Sequence, residues 1–289
     1  MTGIAGRQKG RHYNMKCQEI IERIERRFPR EYACSWDNVG LLVGDRQQEV
    51  DTVYIALDAT DEVIEAAVSS GAGLLLTHHP MIFGGLKSVT ADDYTGERLI
   101  RLIKNGISYY AMHTNYDVLG MADLAAGMLD LTETEVLEEV LDGEGIGRTG
   151  RLPKIMTLEE CGQFVKERFS LPNVKIFGEL NKMVATAAIS PGSGKSMARP
   201  AFEAGVDVLI SGDIDHHTGI DMADCGMAVI DAGHYGIEHI YIEDMKKFLE
   251  KELPALKICT APVRQPFQVI YATGFRAWRI LRAEPECLG

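Results

Sequence analysis

The chain has 289 residues, 46% of them hydrophobic and 25% charged, which is the composition of an ordinary globular protein with one large or two smaller domains. No apolar run is long enough to span a bilayer, so we expect no membrane-embedded segment. The net charge of -12 argues against sequence-independent nucleic-acid binding, which needs clustered Lys and Arg.

The six cysteines are scattered and include no C-x-x-C pair. The sequence therefore predicts neither a disulfide framework nor a thiolate zinc site, and we expect reduced thiols in a cytoplasmic protein. Residues 1–14 carry three basic side chains, but no apolar core follows them. They do not resemble a secretory signal, and we expect them to form a flexible extension.

Strands and helices alternate along the first half of the chain. Residues 15–28 place Ile20, Ile24 and Phe28 on one helical face, which predicts an amphipathic helix. Acidic residues open the segment 61–71 and a glycine closes it, as in a helix. The same patterns predict strands at 35–45, 53–60, 74–80 and 107–112 and a further helix near 97–104.

The second half repeats this plan. A helix at 157–169, a short strand at 175–180 and strands at 184–190, 203–213 and 226–238 follow one another as their counterparts do in the first half. We interpret this as a duplication in an α/β fold, each copy being a helix, a strand and three strand-helix units with a mostly parallel sheet. The predicted units are residues 15–130 and 131–266, with the glycine-rich segment Gly143 to Pro153 as a joint. Residues 267–289 form a tail without a partner in the repeat.

Histidines and carboxylates stand at the ends of several of these strands. Two adjacent histidines end the apolar run at 74–80, and each copy also contains a His-x-x-x-carboxylate pair at a predicted helix start. Such a pair lies on one helical face, and the carboxyl ends of parallel strands share one edge of a sheet. The sequence predicts a site for two divalent ions (Zn, Fe, Mn or Co) formed by His78, His79, His113, Asp117, His234 and Glu238.

Two further motifs each have a functional interpretation and a purely structural one. His216 and His217 follow the second-copy counterpart of the 74–80 strand, so they have either a catalytic, proton-transferring role or a place in a helix-initiating turn. The turn Ser190 to Ser196 lacks the first glycine of a nucleotide P-loop, because position 189 is Ile189. Gly192, Gly194, Lys195 and Ser196 remain candidates for binding one phosphate, with a simple tight turn as the alternative.

The sequence resembles the Nif-three-like family, known as GTP cyclohydrolase 1 type 2 homologues, from Met15 to about Phe267. The resemblance rests on the motifs SWDNVGLLVGD, LLLTHHPMIF, AMHTNYD, GIGRTG, LISGDIDHH and DAGHYGIE. It implies two intertwined α/β repeats, a dinuclear metal centre held by the six residues named above, and a homohexameric ring.

The function expected on this basis is that of a dinuclear-metal-dependent hydrolase. A hydroxide held by the ions would attack a small, nucleotide-like substrate such as GTP, with His217 or a neighbour transferring protons and the 192–196 turn near phosphate. The alternatives are a metal-dependent phosphoesterase or peptidase and, from another class, a non-catalytic metal-binding regulator or carrier.

Overall fold

The structure is a computed structural model that describes residues 14–270. The predicted extension therefore lies outside the described residues except for Asn14, and so does the tail beyond Ile270. The strands are β1 (Met15–Lys16), β2 (Gly40–Val43), β3 (Glu49–Val50), β4 (Thr52–Ala56), β5 (Leu74–Thr77), β6 (Ser108–Ala111), β7 (Thr132–Leu141), β8 (Glu144–Thr157), β9 (Lys175–Phe177), β10 (Met183–Ser193), β11 (Val208–Gly212), β12 (Ala228–Asp231) and β13 (Lys257–Thr260).

Four of the helices among residues 14–270 lie at the predicted segments 15–28, 61–71, 97–104 and 157–169. The helices are α1 (Cys17–Arg27), α2 (Asp61–Ser70), α3 (Tyr94–Lys104), α4 (Thr114–Tyr116), α5 (Ala122–Met128), α6 (Leu158–Arg168), α7 (Ala198–Glu203), α8 (His216–Asp224), α9 (His234–Glu238) and α10 (Ile240–Glu252). Side-chain caps begin several of them: Thr60 accepts a hydrogen bond from the Val63 amide, and Thr157 accepts one from that of Glu160. Gly71, in the left-handed conformation, ends α2 as predicted.

The duplication is visible in the strand order of two sheets. The first sheet runs β13-β4-β5-β6-β2 and the second runs β7-β8-β10-β11-β12-β9. In both sheets, three consecutive strands pair in parallel, β4-β5-β6 in the first and β10-β11-β12 in the second. A short strand from earlier in the chain pairs antiparallel with the last of the three: β2 with β6, and β9 with β12. The prediction of a mixed, mostly parallel α/β fold is confirmed.

Alternation of side chains along the strands separates three hydrophobic clusters. In β4, Val53 and Ile55 face a large cluster that contains residues of both sheets and of α1, α6 and α10. Tyr54 and Ala56 face the opposite side, where α2 and α3 cover the first sheet. A smaller cluster under α7 covers the outer face of the second sheet. The two sheets therefore share one core, which fixes their strand ends relative to each other.

Two features of the second half differ from the sequence interpretation. The segment Gly143 to Pro153 is not the loop that its glycines suggested, because all of it except Gly143 lies in β8, which pairs with β7 and with β10. Its glycines fit crowded strand positions: a Cβ on Gly145 would overlap the Glu138 carbonyl. The division into residues 15–130 and 131–266 remains a prediction. In addition, β13 falls within the range 131–266 but pairs with β4 of the first sheet, so sheet membership does not follow that sequence boundary.

Candidate metal centre

The six predicted ligands come together at the strand ends of the two sheets. His78 and His79 follow β5, His113 follows β6 and precedes Asp117 by one helical turn, and α9 begins with His234 and ends with Glu238. Donor atoms within 4.8 Å of one another form three overlapping groups: His78, His79 and His113; His79, His234 and Glu238; and His78, Asp117 and Glu238. The chain therefore has a group of histidines and carboxylates that can hold a metal ion.

Local structure brings each donor to this place. The run Leu74 to Thr77 is fully buried between neighbouring strands, so the chain leaves the sheet only at the two histidines. In the first-copy pair, a π-helical turn begins at Asp117, an irregularity that is frequent at functional sites. In the second-copy pair, the spacing of one turn brings His234 Nε2 to 3.0 Å from Glu238 Oε2.

The four imidazole rings are oriented by hydrogen bonds from their Nδ1 atoms. His79 donates to Asp58 at 2.8 Å and His78 donates to the Met112 carbonyl at 3.0 Å. The remaining two rings donate to carboxylates as well, His113 to Asp37 at 3.0 Å and His234 to Asp213 at 2.9 Å. With Nδ1 donating in each ring, Nε2 is the atom that can bind a metal ion in place of a proton, which is the usual arrangement behind metal-binding histidines.

The Nε2 atoms face carboxylates and one another at short range. His78 Nε2 lies 3.4 Å from Asp117 Oδ1 and 3.7 Å from Glu238 Oε1, and both His78 Nε2 and Asp117 Oδ1 are buried without a hydrogen-bond partner among the described residues. His79 Nε2 lies 3.1 Å from His234 Nε2. Electron-rich atoms held this close, out of water, repel one another unless a proton or a metal ion lies between them, so the residues fit a metal ion.

The pKa shifts in the metal-free protein have the same cause. Burial alone would lower the pKa of His79, but its hydrogen bonds to Asp58 and Glu238 outweigh burial and raise the pKa to about 10. Burial would also lower the pKa of His234, but its hydrogen bond to Glu238 and the charge of that carboxylate outweigh burial and raise the pKa to about 9. Burial opposes ionisation of Glu238, yet the surrounding histidines hold its pKa well below the ordinary value. The cluster therefore attracts positive charge strongly.

Comparison with known proteins identifies the family. Residues 15–266 match the family described as Duf34/NIF3 (NGG1p interacting factor 3). The chain belongs to this family. A Clostridium acetobutylicum protein named GTP cyclohydrolase 1 type 2 homolog is 34% identical over 252 residues, which cover 86% of this chain and 94% of that protein.

Solved structures of NIF3 relatives share the fold. A Bacillus cereus protein related to NIF3 superposes with a TM-score of 0.82 at 25% identity, covering 89% of this chain and 99% of that one. A Staphylococcus aureus hypothetical protein superposes with a TM-score of 0.80 at 29% identity, covering 89% and 100%. These likenesses confirm the family and the fold inferred from the sequence motifs.

The segment predicted as a glycine turn, Ser190 to Ser196, lies directly against the candidate metal centre in this NIF3-family chain, and its residues up to Ser193 are the end of β10. Gly192 is buried with a φ of +84°, and a Cβ there would lie 2.4 Å from Glu238 Oε1. The Gly194 amide donates to the Gly212 carbonyl at 2.8 Å, which ties the turn to β11. Lys195 and Ser196 are exposed, with Lys195 Nζ 3.3 Å from Asp215. Phosphate binding by this turn remains a prediction.

His216 and His217 lie at the start of α8, which Asp215 caps by accepting a hydrogen bond from the Thr218 amide. Both histidines are exposed, and their rings contact each other with centroids 5.2 Å apart. They are not members of the three donor groups found among residues 14–270. Their predicted catalytic role therefore needs a substrate that reaches from the metal centre to α8.

Sequence reasoning missed the carboxylates behind the histidines. Asp37, Asp58 and Asp213 each accept the Nδ1 proton of one ligand histidine. Asp37 is fully buried and also accepts from the Thr114 amide, and although burial opposes it, these bonds lower its pKa to about 2. Asp37 and Asp213 stand inside two of the motifs named above, SWDNVGLLVGD and LISGDIDHH, and Asp58 stands near the end of the predicted strand 53–60. Their positions in these motifs and near the end of a predicted strand were the signal by which these three carboxylates could have been found.

No helix among residues 14–270 is both long enough and apolar enough to cross a membrane.

Proposed function

We propose that this NIF3-family protein is a hydrolase that depends on two divalent metal ions. The observation that supports it is the overlap of the donor groups: Glu238 belongs to a buried group with His78 and Asp117 and to a more exposed group with His79 and His234. One carboxylate shared by two groups is the arrangement that a pair of ions requires. When bound, two such ions lower the pKa of a shared water and polarise a substrate oxygen.

The protein residues then have distinct tasks. His78, which is fully buried, would hold the inner position, whereas His79 and His234 would hold the position open to substrate. Asp58 and Asp213 keep those two rings in the tautomer that binds metal. The absence of a side chain at Gly192, near the end of β10, leaves room for the Glu238 carboxylate itself.

The substrate we propose is a small, nucleotide-like molecule, with ring opening of GTP as the specific reaction. This follows the name of the Clostridium relative and the position of the predicted phosphate-binding residues, Gly192 to Ser196, beside the candidate metal centre. His217 is the candidate for moving a proton on the leaving nitrogen. The homohexamer and the cytoplasmic location remain predictions from the sequence.

The test begins with protein purified without added metal, analysed for metal content and then loaded with Zn²⁺, Mn²⁺, Fe²⁺ or Co²⁺ in turn. Each form is incubated with GTP, and formate release and the purine absorbance are followed. We expect about two ions per chain and metal-dependent formate release, lowered in a His217→Gln variant that keeps its metal. Unchanged GTP with every metal would overturn the cyclohydrolase reaction.

A panel of phosphoesters and peptides then tests hydrolysis in general. Turnover of one of them without turnover of GTP would place the protein among phosphoesterases or peptidases. Two tightly bound ions with no turnover of any compound would instead support a metal carrier or regulator.

A further inference from the structure

A groove of about 370 Å³ lies between α1 and α10. None of the residues that line it is a candidate metal ligand or a carboxylate that orients one. Five of the lining side chains are cationic and two are acidic, an excess of three positive charges in a chain whose net charge is -12. The cations are Arg23, Arg26, Arg27, Lys247 and Lys251. The groove is therefore a local basic site on an acidic protein.

Helical spacing brings these cations to the groove. Arg23, Arg26 and Arg27 occupy positions i, i+3 and i+4 of α1, so they share one face of that helix. Lys247 and Lys251 are one turn apart on α10. Side chains of like charge one turn apart repel each other, so both helices carry an unfavourable term that an anion in the groove would remove.

Arg27 is held in place by two aromatic rings. Phe28 and Phe248 contact each other edge to face with centroids 5.8 Å apart, which joins the end of α1 to α10. The Arg27 guanidinium carbon lies 5.0 Å from the Phe28 centroid and 5.1 Å from that of Phe248. A guanidinium fixed in this way loses little freedom on binding, and its planar fork matches two oxygens of a phosphate. Arg27 is therefore a preorganised donor for an anion.

Most of the positive charge in the groove has no counter-charge within the protein. Four of the five cations form no ion pair with residues 14–270: Arg23, Arg26, Arg27 and Lys251. Lys247 Nζ lies 3.4 Å from Glu243, but both side chains are exposed, and such a surface pair is weak. Of the two acids in the groove, Asp244 already accepts a hydrogen bond from the Tyr116 hydroxyl at 2.9 Å. The groove therefore leaves its cations available to an anion from outside.

Neutralisation of helix ends accounts for only part of this cluster. Arg26, Arg27 and Lys251 lie in the last turns of their helices, where the helix dipole favours cations. Arg23 and Lys247 lie before those last turns and still line the same groove. The concentration of charge on one side of each helix needs a second reason.

The size and the lining of the groove indicate the kind of anion. Its volume is at the lower end of small-molecule sites, which span about 300–1,000 Å³. The acidic remainder of the chain would repel an extended polyanion such as nucleic acid. Three excess positive charges match a di- or triphosphate better than a single phosphate. Phe248 is only 8% exposed, so the groove offers little aromatic surface to a base.

We propose that the groove between α1 and α10 binds the phosphate chain of a di- or triphosphate. Arg27 is the fixed contact, and the exposed cations on both helices supply the remaining charge. The phosphate chain is the recognised group, whether the molecule is inorganic or a nucleotide. This site shares no residue with the metal centre and does not depend on the proposed function.

The experiment measures binding of inorganic tripolyphosphate to the full-length chain by calorimetry. We expect one molecule per chain, and UTP should bind the groove with similar affinity because its base contributes no contact. Arg23→Gln and Lys251→Gln, exposed cations from the two helices, should each weaken binding about tenfold, the effect of one lost charge-assisted hydrogen bond. Arg27→Lys keeps the charge but removes the planar fork, and it should weaken binding by a similar factor.

Arg199→Gln is the matched control, because Arg199 on α7 is 85% exposed and lies outside the groove. It removes the same charge and should bind tripolyphosphate as the unmodified protein does. Tripolyphosphate also binds divalent ions, so the titration is repeated in Glu238→Gln, where the affinity should be unchanged.

Three results would overturn the site: no binding of tripolyphosphate, unchanged affinity in the groove variants, or an equal loss in Arg199→Gln. Loss of binding in Glu238→Gln would place the anion at the metal centre instead of the groove. Binding of UTP without binding of tripolyphosphate would contradict recognition of the phosphate chain. Tighter binding of a single-stranded oligonucleotide than of tripolyphosphate would contradict the assignment to a small molecule.

Discussion

The two repeats have the same strand order but contribute unequally to the metal centre. At the end of β5 the first copy has His78 and His79, whereas the end of β11 has Gly212 and Asp213. Gly212 is required there, because a Cβ would lie 2.5 Å from the His234 amide nitrogen. Asp213 accepts the His234 Nδ1 proton instead of acting as a ligand. The first copy thus has two candidate ligands where the second has a glycine and an orienting carboxylate.

The copies also differ in burial. The first copy holds the inner donors, with His78 fully buried and the Asp117 side chain 15% exposed, while the His234 side chain of the second copy is 32% exposed. Glu238 is the exception, because it comes from the second copy but is only 3% exposed and lies against donors from both. Glu238 therefore connects the donors of the first copy with those of the second.

Removing the shared carboxylate should have the largest effect. Glu238→Gln replaces a charged donor of both groups with a neutral amide, so metal affinity should fall by more than about 100-fold, beyond the range typical of partners behind the ligands. Metal content after dialysis, measured by mass spectrometry, checks this. Glu243→Gln, an exposed glutamate on α10, is the control and should retain its metal. Full metal content in Glu238→Gln would show that Glu238 is not a ligand of either group.

Replacing the carboxylates that accept the histidine Nδ1 protons tests the difference in burial between the copies. Asp37→Asn, at a fully buried side chain of the first copy, should lower metal affinity about 100-fold. Asp213→Asn, 61% exposed in the second copy, should lower it only about tenfold because water can replace the acceptor. Competition with a chromophoric chelator measures both.

The control for this pair is Asp215→Asn, which keeps a good helix cap at α8 and lies outside the three donor groups. Its metal affinity should stay unchanged. Equal losses in Asp37→Asn and Asp213→Asn would contradict the assignment of an inner and an outer half.

The close approach of Gly192 to Glu238 can be tested by adding a side chain at this glycine. A methyl group in Gly192→Ala would displace Glu238 Oε1, and we expect about tenfold weaker metal binding in addition to backbone strain of roughly 1–2 kcal/mol. Gly205→Ala separates these effects, since Gly205 has a φ of +70° and open space around its Cα. It should lose stability but keep its metal affinity. Thermal unfolding and chelator competition give both quantities.

The smallest effect is expected at Asp207, a carboxylate that has no counterpart at the corresponding position of the first copy. Asp207 accepts hydrogen bonds from the Ala185 and Thr186 amides at 2.8 and 3.0 Å and ties β10 to the start of β11, whereas the first copy has Gly73 at this place. Burial opposes ionisation, but these bonds lower the pKa of Asp207 below its ordinary value of 3.8. The ionised group therefore stabilises the fold above that value and loses its contribution as pH falls through the lowered pKa.

Asp207→Asn should consequently reduce the free energy of unfolding by about 1 kcal/mol at pH 7, the typical worth of such bonds. Urea unfolding at pH 7 and pH 3 checks the sign, since the difference between the proteins should shrink at the lower pH. A difference that grows with acidity would mean that the neutral form of Asp207 is the one stabilised. Metal content should be the same in both proteins at pH 7.

Local patterns were sufficient for most of the fold. Apolar periodicity placed α1, the acidic first turn and closing glycine placed α2, and the internal repeat placed α6. Short apolar runs ended by polar residues placed β4, β5, β6, β10 and β11. They failed at β8, because glycines that permit close strand contact look in sequence like those of a loop. They also gave no sign that β13 joins the first sheet, since a strand's partner depends on packing and not on its own residues.

For the site, the sequence by itself determined the ligand types: two histidines after one strand and a His-x-x-x-carboxylate pair in each copy. Spacing of one helical turn explains why each pair shares a face. Only the tertiary structure decided that His79 and His234, 155 residues apart, lie with their Nε2 atoms 3.1 Å from each other, and that Asp37, Asp58 and Asp213 orient three of the rings. The physical reason is that these distances are set by the core shared between the two sheets, and no pattern within either repeat encodes how two sheets pack.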